Sequence, residues 1–216
     1  MAQPVARAST PPSSIRSVCV FCGSSVGARD GYVEAAKQLG VAIARRGQRL
    51  VYGGGSIGLM GEVARSAHAN GAKVLGIIPE ALVGVELCGS PVDEEKVVKD
   101  MHERKAAMQK NCDAFVALPG GFGTMEELLE MITWQQLGYH TKPIGVLDCE
   151  GFFDLFLQFL DHMVAEGFVR KEARKIVVHG TTADELLDKL EVYQPPESVI
   201  SLGNRGAFHS GGSMGP

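Results

Sequence analysis

One short stretch of the chain has residue types that could bind a phosphate and act on the group attached to it. From Pro119 the sequence reads "PGGFGTMEELLEMITW", so three glycines and a threonine precede two consecutive carboxylates. Glycines in such a turn let the backbone approach a ligand, and the free N–H groups at the start of a helix favour an anion. Glu127 would then lie beside a sugar attached to the bound phosphate, where hydrolysis needs a base or a charge stabiliser.

Glu127 also has a structural interpretation. Thr124 followed three residues later by Glu127 matches the capping box, in which each side chain bonds the backbone amide of the other residue. This pattern predicts a helix that begins at Thr124, with Glu127 in its first turn. From the sequence, both roles of Glu127 remain open.

Two cations earlier in the chain could serve the same ligand. The segment "EKVVKDMHERKAAMQK" predicts a helix with one stripe toward the protein interior. That stripe contains Val97, Met101, Arg104, Lys105 and Met108. Arg104 and Lys105 therefore need partners. Their charged groups could extend to solvent or pair with Asp100 or Glu103, or they could bind a phosphate.

Three glycine turns are present in the chain, each between an apolar segment and a predicted helix. The first glycine turn is "FCGSS" at 21–25, the second is "YGGGSIGLMG" at 52–61, and the third is "PGGFGT" at 119–124. Together they favour a phosphate. The second turn also matches G-x-G-x-x-G through Gly53, Gly55 and Gly58, with Glu80 placed to hold a ribose, so a dinucleotide enzyme is an alternative.

The elements that must position these residues alternate regularly. Short apolar strands separated by longer amphipathic helices indicate an α/β fold, a single-domain doubly wound, Rossmann-like sheet that is mostly parallel, with helices on both faces. Strands are predicted at 17–23, 49–55, 73–79, 114–121, 142–148 and 175–180, and helices at 32–47, 58–71, 95–112, 124–138, 152–167 and 182–193. The predicted folded body spans residues 16–194. Residues 1–15 and 195–216 are rich in Gly, Ser and Pro, so we expect flexible tails there.

Composition excludes several classes of function. The formal net charge of −4 argues against binding nucleic acid, and no apolar run approaches the length of about 20 residues that crosses a bilayer. The five cysteines are an odd number without a disulfide framework, which predicts a reducing cytoplasm. Cys19 and Cys22 lie in an apolar strand and should point to opposite faces as buried residues. No second cysteine pair and no H-x-x-x-H accompany them, so we predict no metal site. The N-terminus, which lacks acids, leaves a short organelle-targeting peptide open.

The quoted motifs resemble those of the Lonely Guy family of cytokinin riboside 5'-monophosphate phosphoribohydrolases, older members of which were labelled lysine decarboxylases. The similarity covers about residues 17–193 and includes "VFCGSS", "LVYGGGSIGLMG", "GIIPEAL", "MHERKAAM" and "PGGFGTMEELLEMITWQQLG". It implies a hydrolase that splits the N-glycosidic bond of a prenylated adenosine monophosphate into the free cytokinin base and ribose 5-phosphate. It also implies a homodimer with the site near its interface. No lysine has a recognisable pyridoxal phosphate setting, so we expect no cofactor.

The resemblance also implies which residues act. Its catalytic arginine and glutamate fall on Arg104 and Glu127. With Gly120, whose amide we expect at the phosphate, the predicted substrate contacts are Glu86, Arg104, Lys105, Gly120, Gly121, Phe122, Gly123, Thr124, Met125, Glu126, Glu127 and Thr133. Around Glu86 the sequence "VGVELCG" departs from the usual "P-R-E-I".

Some functional alternatives share these motifs. Met101, Met108 and Trp134 could receive the prenyl group or belong to the core. An enzyme that cleaves plain adenosine monophosphate would present nearly the same glycines and charges, and the molybdenum cofactor carriers that resemble this fold would bind without turnover.

Overall fold

The computed structural model describes residues 14–83 and 92–196. Glu86 lies outside the described residues, as do residues 1–13 and 197–216, which make up most of the two predicted tails.

The described residues form an α/β fold around one parallel sheet of seven strands. The strands lie in the order β4-β3-β2-β1-β5-β6-β7, and every neighbouring pair is parallel. The strands are β1 Ser17–Phe21, β2 Arg49–Tyr52, β3 Val74–Pro79, β4 Glu94–Val98, β5 Ala114–Ala117, β6 Ile144–Leu147 and β7 Val177–Gly180. The helices are α1 Asp30–Arg45, α2 Gly58–Ala69, α3 Met101–Lys110, α4 Phe122–Gln136, α5 Asp154–Ala165 and α6 Ala183–Glu191. The predicted doubly wound fold is confirmed.

Helices cover both faces of the sheet and create two separate cores. Side chains of α1, α2 and α6 pack on one face, and those of α3, α4 and α5 pack on the other. Cys19 belongs to the core under α3, α4 and α5 whereas Cys22 belongs to the opposite core, as the strand alternation predicted. The strand order reverses between β1 and β5, so the first and third glycine turns leave the sheet at the same edge.

The edge strand β4 is the largest error of the sequence prediction. Residues 95–112 were predicted as one helix, yet Glu94–Val98 pairs with β3 and the helix begins only at Met101. The β4 sequence "EEKVV" has three charged residues, and only Val98 is buried, as is typical of a solvent-exposed edge strand. For the same reason it lacks the apolar run from which the other strands were predicted. Val97, 48% exposed, is therefore not part of the interior stripe, and neither is Met101.

The start of α3 is fixed by its own acids. The Asp100 carboxylate accepts a hydrogen bond from the Glu103 amide at 2.9 Å, and the Glu103 carboxylate accepts one from the Lys99 amide at 2.9 Å. These bonds satisfy free donors at the helix N-terminus. Asp100 and Glu103 thus cap the helix, and neither is the partner of Arg104 or Lys105.

Candidate active site

The third glycine turn leads directly into α4, two residues earlier than predicted. The helix begins at Phe122 with Gly121 as its N-cap, and among the described residues no side chain caps it. The predicted capping box between Thr124 and Glu127 is therefore wrong. Thr124 is the third helical residue and is buried, and Glu127 is the sixth, so its carboxylate lies in the second turn. Glu127 is free for another role.

Glu127 forms a buried ion pair with Arg104. The Arg104 Nη1 donates to Glu127 Oε1 at 2.6 Å, and each side chain is only 10% exposed. Arg104 Nε also donates to the Ile77 carbonyl at 3.0 Å, and Nη2 donates to the Gly53 carbonyl at 3.5 Å. One carbonyl of β3 and one of the turn after β2 therefore hold the guanidinium against the carboxylate of α4. Charge-assisted hydrogen bonds of this kind are the stronger ones in proteins.

The environment of Glu127 raises the pKa of its carboxyl group. Burial raises its pKa above the usual value, and the adjacent Arg104 opposes this rise. The Glu126 charge raises the pKa further and Lys105 lowers it. A carboxylate whose pKa moves toward neutrality is suited to accept a proton during catalysis.

The N-terminus of α4 is open to a ligand. A Cβ atom added to Gly121 or Gly123 would meet nothing within 4 Å, and the Phe122 side chain is 97% exposed. Neither glycine is thus explained by packing, whereas Gly120 is, because a Cβ there would clash with the Thr124 side chain. The amides of the first helical turn have no partners within a helix and carry its positive dipole end. This turn can therefore accept an anion.

The second glycine turn has a different function. The amides of Leu59 and Met60, at the start of α2, donate to the carbonyls of Ser25 at 3.4 Å and Gly23 at 3.3 Å. Gly58 has a φ of +57°, and a Cβ atom there would clash with the Ser24 backbone. The first glycine turn therefore occupies the helix terminus where a dinucleotide would place its pyrophosphate. Packing accounts for Gly58, and the occupied helix terminus removes the support for the dinucleotide alternative.

A cavity of about 290 Å³ lies between the first and third glycine turns. Residues 23–27 and 119–121 line it together with Leu59. Its aromatic side is formed by Tyr32 and Phe152, whose rings meet edge to face with centroids 5.8 Å apart. The cavity thus adjoins the open start of α4 at the point where the strand order reverses.

Other predicted site residues are not gathered at the Arg104–Glu127 pair. Lys105 is buried, and its Nζ pairs with Glu126 and, at 3.0 Å, with Glu130. Thr133 is exposed, donates to the Leu129 carbonyl at 2.8 Å, and lies about 9 Å from Glu127 along the helix axis.

The apolar residues that could bind a prenyl group differ in how far they are buried. Met108 belongs to the core, Met101 is exposed, and Trp134 and Met125 are half-buried against the core under α4.

Sequence reasoning missed three contributors to the site. The carbonyls of Gly53 and Ile77 hold Arg104, and Glu130 holds Lys105. Glu130 could have been found, because it follows Glu126 by four residues and so shares its side of the helix. The carbonyls could not, because only the folded sheet brings these backbone groups to α3.

No metal site accompanies these groups. Within residues 14–83 and 92–196 no three His, Cys, Asp or Glu side chains could together hold a metal ion. None of the helices in that part of the chain is long and apolar enough to cross a membrane.

Comparisons with known proteins identify close relatives by sequence. The family model described as "Possible lysine decarboxylase" matches residues 60–190. The chain is 52% identical over 187 residues to cytokinin riboside 5'-monophosphate phosphoribohydrolase LOG of Oryza sativa subsp. japonica, covering 87% of this chain and 77% of the relative. It is 54% identical over 183 residues to the phosphoribohydrolase LOG3 of Arabidopsis thaliana, covering 85% of each chain.

Solved structures show the same fold at much lower identity. The molybdenum cofactor carrier protein of Chlamydomonas reinhardtii matches with a TM-score of 0.60 and 20% identity, over 80% of this chain and 93% of that chain. The molybdenum cofactor binding protein of Rippkaea orientalis matches with a TM-score of 0.59 and 21% identity, over the same shares of the two chains.

Proposed function

The chain belongs to the Lonely Guy family of cytokinin riboside 5'-monophosphate phosphoribohydrolases, and from this premise we propose that it hydrolyses the N-glycosidic bond of prenylated adenosine monophosphates. The products are the free cytokinin base and ribose 5-phosphate. The observation that carries the proposal is the buried Arg104–Glu127 pair, 2.6 Å apart, beside the open N-terminus of α4. An acidic group next to an anion site is the arrangement that cleavage of a phosphorylated sugar requires.

The phosphate binds at the third glycine turn in this proposal. The amides from Gly120 to Thr124 supply the donors, and the helix dipole of α4 favours the negative charge. Gly121 and Gly123 leave the room that the phosphate oxygens need. Fixing the phosphate there positions the ribose over the first two turns of α4, which places its C1' atom toward Glu127.

Glu127 assists the departure of the base in one of two ways. The bond between C1' and the purine nitrogen breaks with its electron pair going to the base, so positive charge develops on the sugar. The ionised carboxylate either stabilises that charge or removes a proton from the water that attacks C1'. The hydroxyl adds to C1', and a proton completes the released base. Arg104 keeps the carboxylate oriented, since its own position is fixed by two backbone carbonyls.

The experiment that tests this function is a chromatographic assay with three substrates. The purified chain is given prenylated adenosine monophosphate, plain adenosine monophosphate and the prenylated riboside without phosphate. Release of base from the first alone supports a cytokinin-specific phosphoribohydrolase. Equal release from plain adenosine monophosphate would identify a general nucleotide nucleosidase, and binding without release would favour a carrier.

Gly53→Ala tests whether Arg104 must be held where it lies. A Cβ atom at Gly53 would clash with the Arg104 guanidinium, so Arg104 must move away from the carbonyl that it bonds. A displacement of about 1 Å can lower a rate by roughly 10²-fold, and we expect a loss of kcat of that order. Kinetic assays measure it, with the melting temperature as the control for folding. An unchanged kcat would show that Arg104 needs no such placement.

We also propose that the chain forms a homodimer through the face that carries α4 and α5. The exposed apolar side chains in this part of the chain include Leu129, Tyr139, Leu155, Phe159 and Phe168. Exposed apolar surface of this kind is typical of protein interfaces. Sedimentation equilibrium should give twice the 23.0 kDa of one chain. Leu155→Glu should shift the mass toward the monomer while Val41→Glu, on α1 across the sheet, should not; a wild-type monomer at all concentrations would contradict the proposal.

A cytoplasmic location is proposed on the state of the cysteines. The four within the described residues, Cys19, Cys22, Cys112 and Cys149, are free thiols. Free thiols suit a reducing compartment.

A further inference from the structure

Beside the Arg104–Glu127 pair lies a second ionic contact between the same two helices. We propose that Lys105, Glu126 and Glu130 form a charge cluster that fixes the register of α4 against α3 and thereby sets the charges placed beside Glu127. In this role Lys105 is a positioning residue that acts through Glu127. The inference deepens the proposed function, and its kinetic consequence rests on that function.

The geometry of the two helices supports a positioning role. Two consecutive cations of α3 meet acids of α4: Arg104 pairs with Glu127, and Lys105 pairs with Glu126 and Glu130. Glu126 and Glu130 are one helical turn apart, so both carboxylates reach the same ammonium group. A shift of α4 by one residue would rotate it by about 100° and break every one of these contacts.

Burial makes the cluster more than a surface ion pair. The Lys105 side chain is 6% exposed, and its pKa is raised because the hydrogen bonds and charges of the two glutamates outweigh the effect of desolvation. Exposed ion pairs contribute little, but a buried cation needs its partners. The Lys105 ammonium group is therefore bound to two carboxylates of α4. To bind a substrate phosphate it would have to leave both of them.

The cluster faces Glu127 with charges of both signs. From α3, Arg104 and Lys105 lower the pKa of Glu127, and from its own helix Glu126 raises it. The thiols of Cys19 on β1 and of Cys22, directly after β1, also lie close, but burial raises the pKa of each, so they remain neutral. Lys105 thus compensates an acidic neighbour that would otherwise favour protonation of Glu127.

The test is a titration of the free protein by NMR. Glutamate carboxyl carbons are labelled with ¹³C, and the Glu127 signal is identified by its loss in Glu127→Gln. We expect the measured pKa of Glu127 to rise in Lys105→Gln, to fall in Glu126→Gln, and to match the wild type in Lys105→Arg. The control Glu34→Gln removes a carboxylate from α1, on the opposite face of the sheet, and should change nothing.

These outcomes separate the inference from the proposed function, because the titration requires no turnover. An unchanged pKa of Glu127 in both Lys105→Gln and Glu126→Gln would overturn the inference even if the chain is an active hydrolase. Glu126 is half exposed, so Glu126→Gln provides the test if Lys105→Gln fails to fold.

In an active enzyme, the acid limb of the kcat/KM profile should move in the same directions as the Glu127 titration. Rates on that limb would then change by up to roughly tenfold. A substrate-binding role for Lys105 predicts instead a higher KM with an unmoved limb.

Discussion

Glu127→Gln is expected to lower kcat by about 10²- to 10⁴-fold, the range that a positioned proton-transfer group contributes. The amide keeps the shape of the side chain and can still accept a hydrogen bond from Arg104, but it can neither take a proton nor offset positive charge at C1'. Steady-state kinetics with prenylated adenosine monophosphate measure the loss. Because Glu127→Gln leaves the buried Arg104 cation without its carboxylate, the melting temperature should fall as well, and kcat is therefore measured well below it.

The pH dependence of the wild type provides an independent check on Glu127. Both proposed roles need the ionised carboxylate, and burial raises its pKa. The acid limb of kcat/KM should therefore lie above the ordinary range of a glutamate and should disappear in Glu127→Gln. The surface variant Glu34→Gln should keep the limb of the wild type. Normal turnover in Glu127→Gln would remove Glu127 from the chemistry.

Most of the fold could be predicted from the sequence because its central strands are buried on both faces. β1, β2, β3 and β5 appear as short apolar runs between helical segments, and parallel pairing follows from that alternation. β4 could not be predicted in this way. It lies at the edge of the sheet, and neither the burial nor the hydropathy of its residues alternates along the strand. Only its pairing with β3 makes this segment a strand.

The residues of the candidate site could be proposed from the sequence, but most of the contacts between them could not. The glycine turn and the two cations were recognisable from residue type and spacing. Their partners were not, since Arg104 meets a carboxylate 23 residues away only after α3 and α4 pack on one face of the sheet. The local pattern was also misleading at Thr124, because the observed N-cap, Gly121, precedes the N-cap of the capping box by three residues.

Arg104→Gln is expected to destabilise the protein by about 3–5 kcal/mol at neutral pH, the typical cost of removing one partner from a buried ion pair. Glu127 would keep its burial and lose the cation that opposes the rise of its pKa. Urea unfolding followed by circular dichroism measures the loss. The double variant Arg104→Gln/Glu127→Gln should recover part of it, because the uncompensated charge is then gone.

The pH dependence of this loss distinguishes a charge effect from a packing defect. In Arg104→Gln the folded-state pKa of Glu127 lies further above its unfolded value, so the folded state binds the proton more tightly than the unfolded chain. The contribution of Glu127 to the free energy of unfolding is fully present at pH values below its pKa in the unfolded chain. It is lost as the pH rises through its pKa in the folded protein. The deficit relative to the wild type should therefore shrink as the pH falls through the folded pKa of Glu127. A deficit equal at all pH values would mean that Arg104 stabilises the fold through packing, and the ion pair would then serve catalysis alone.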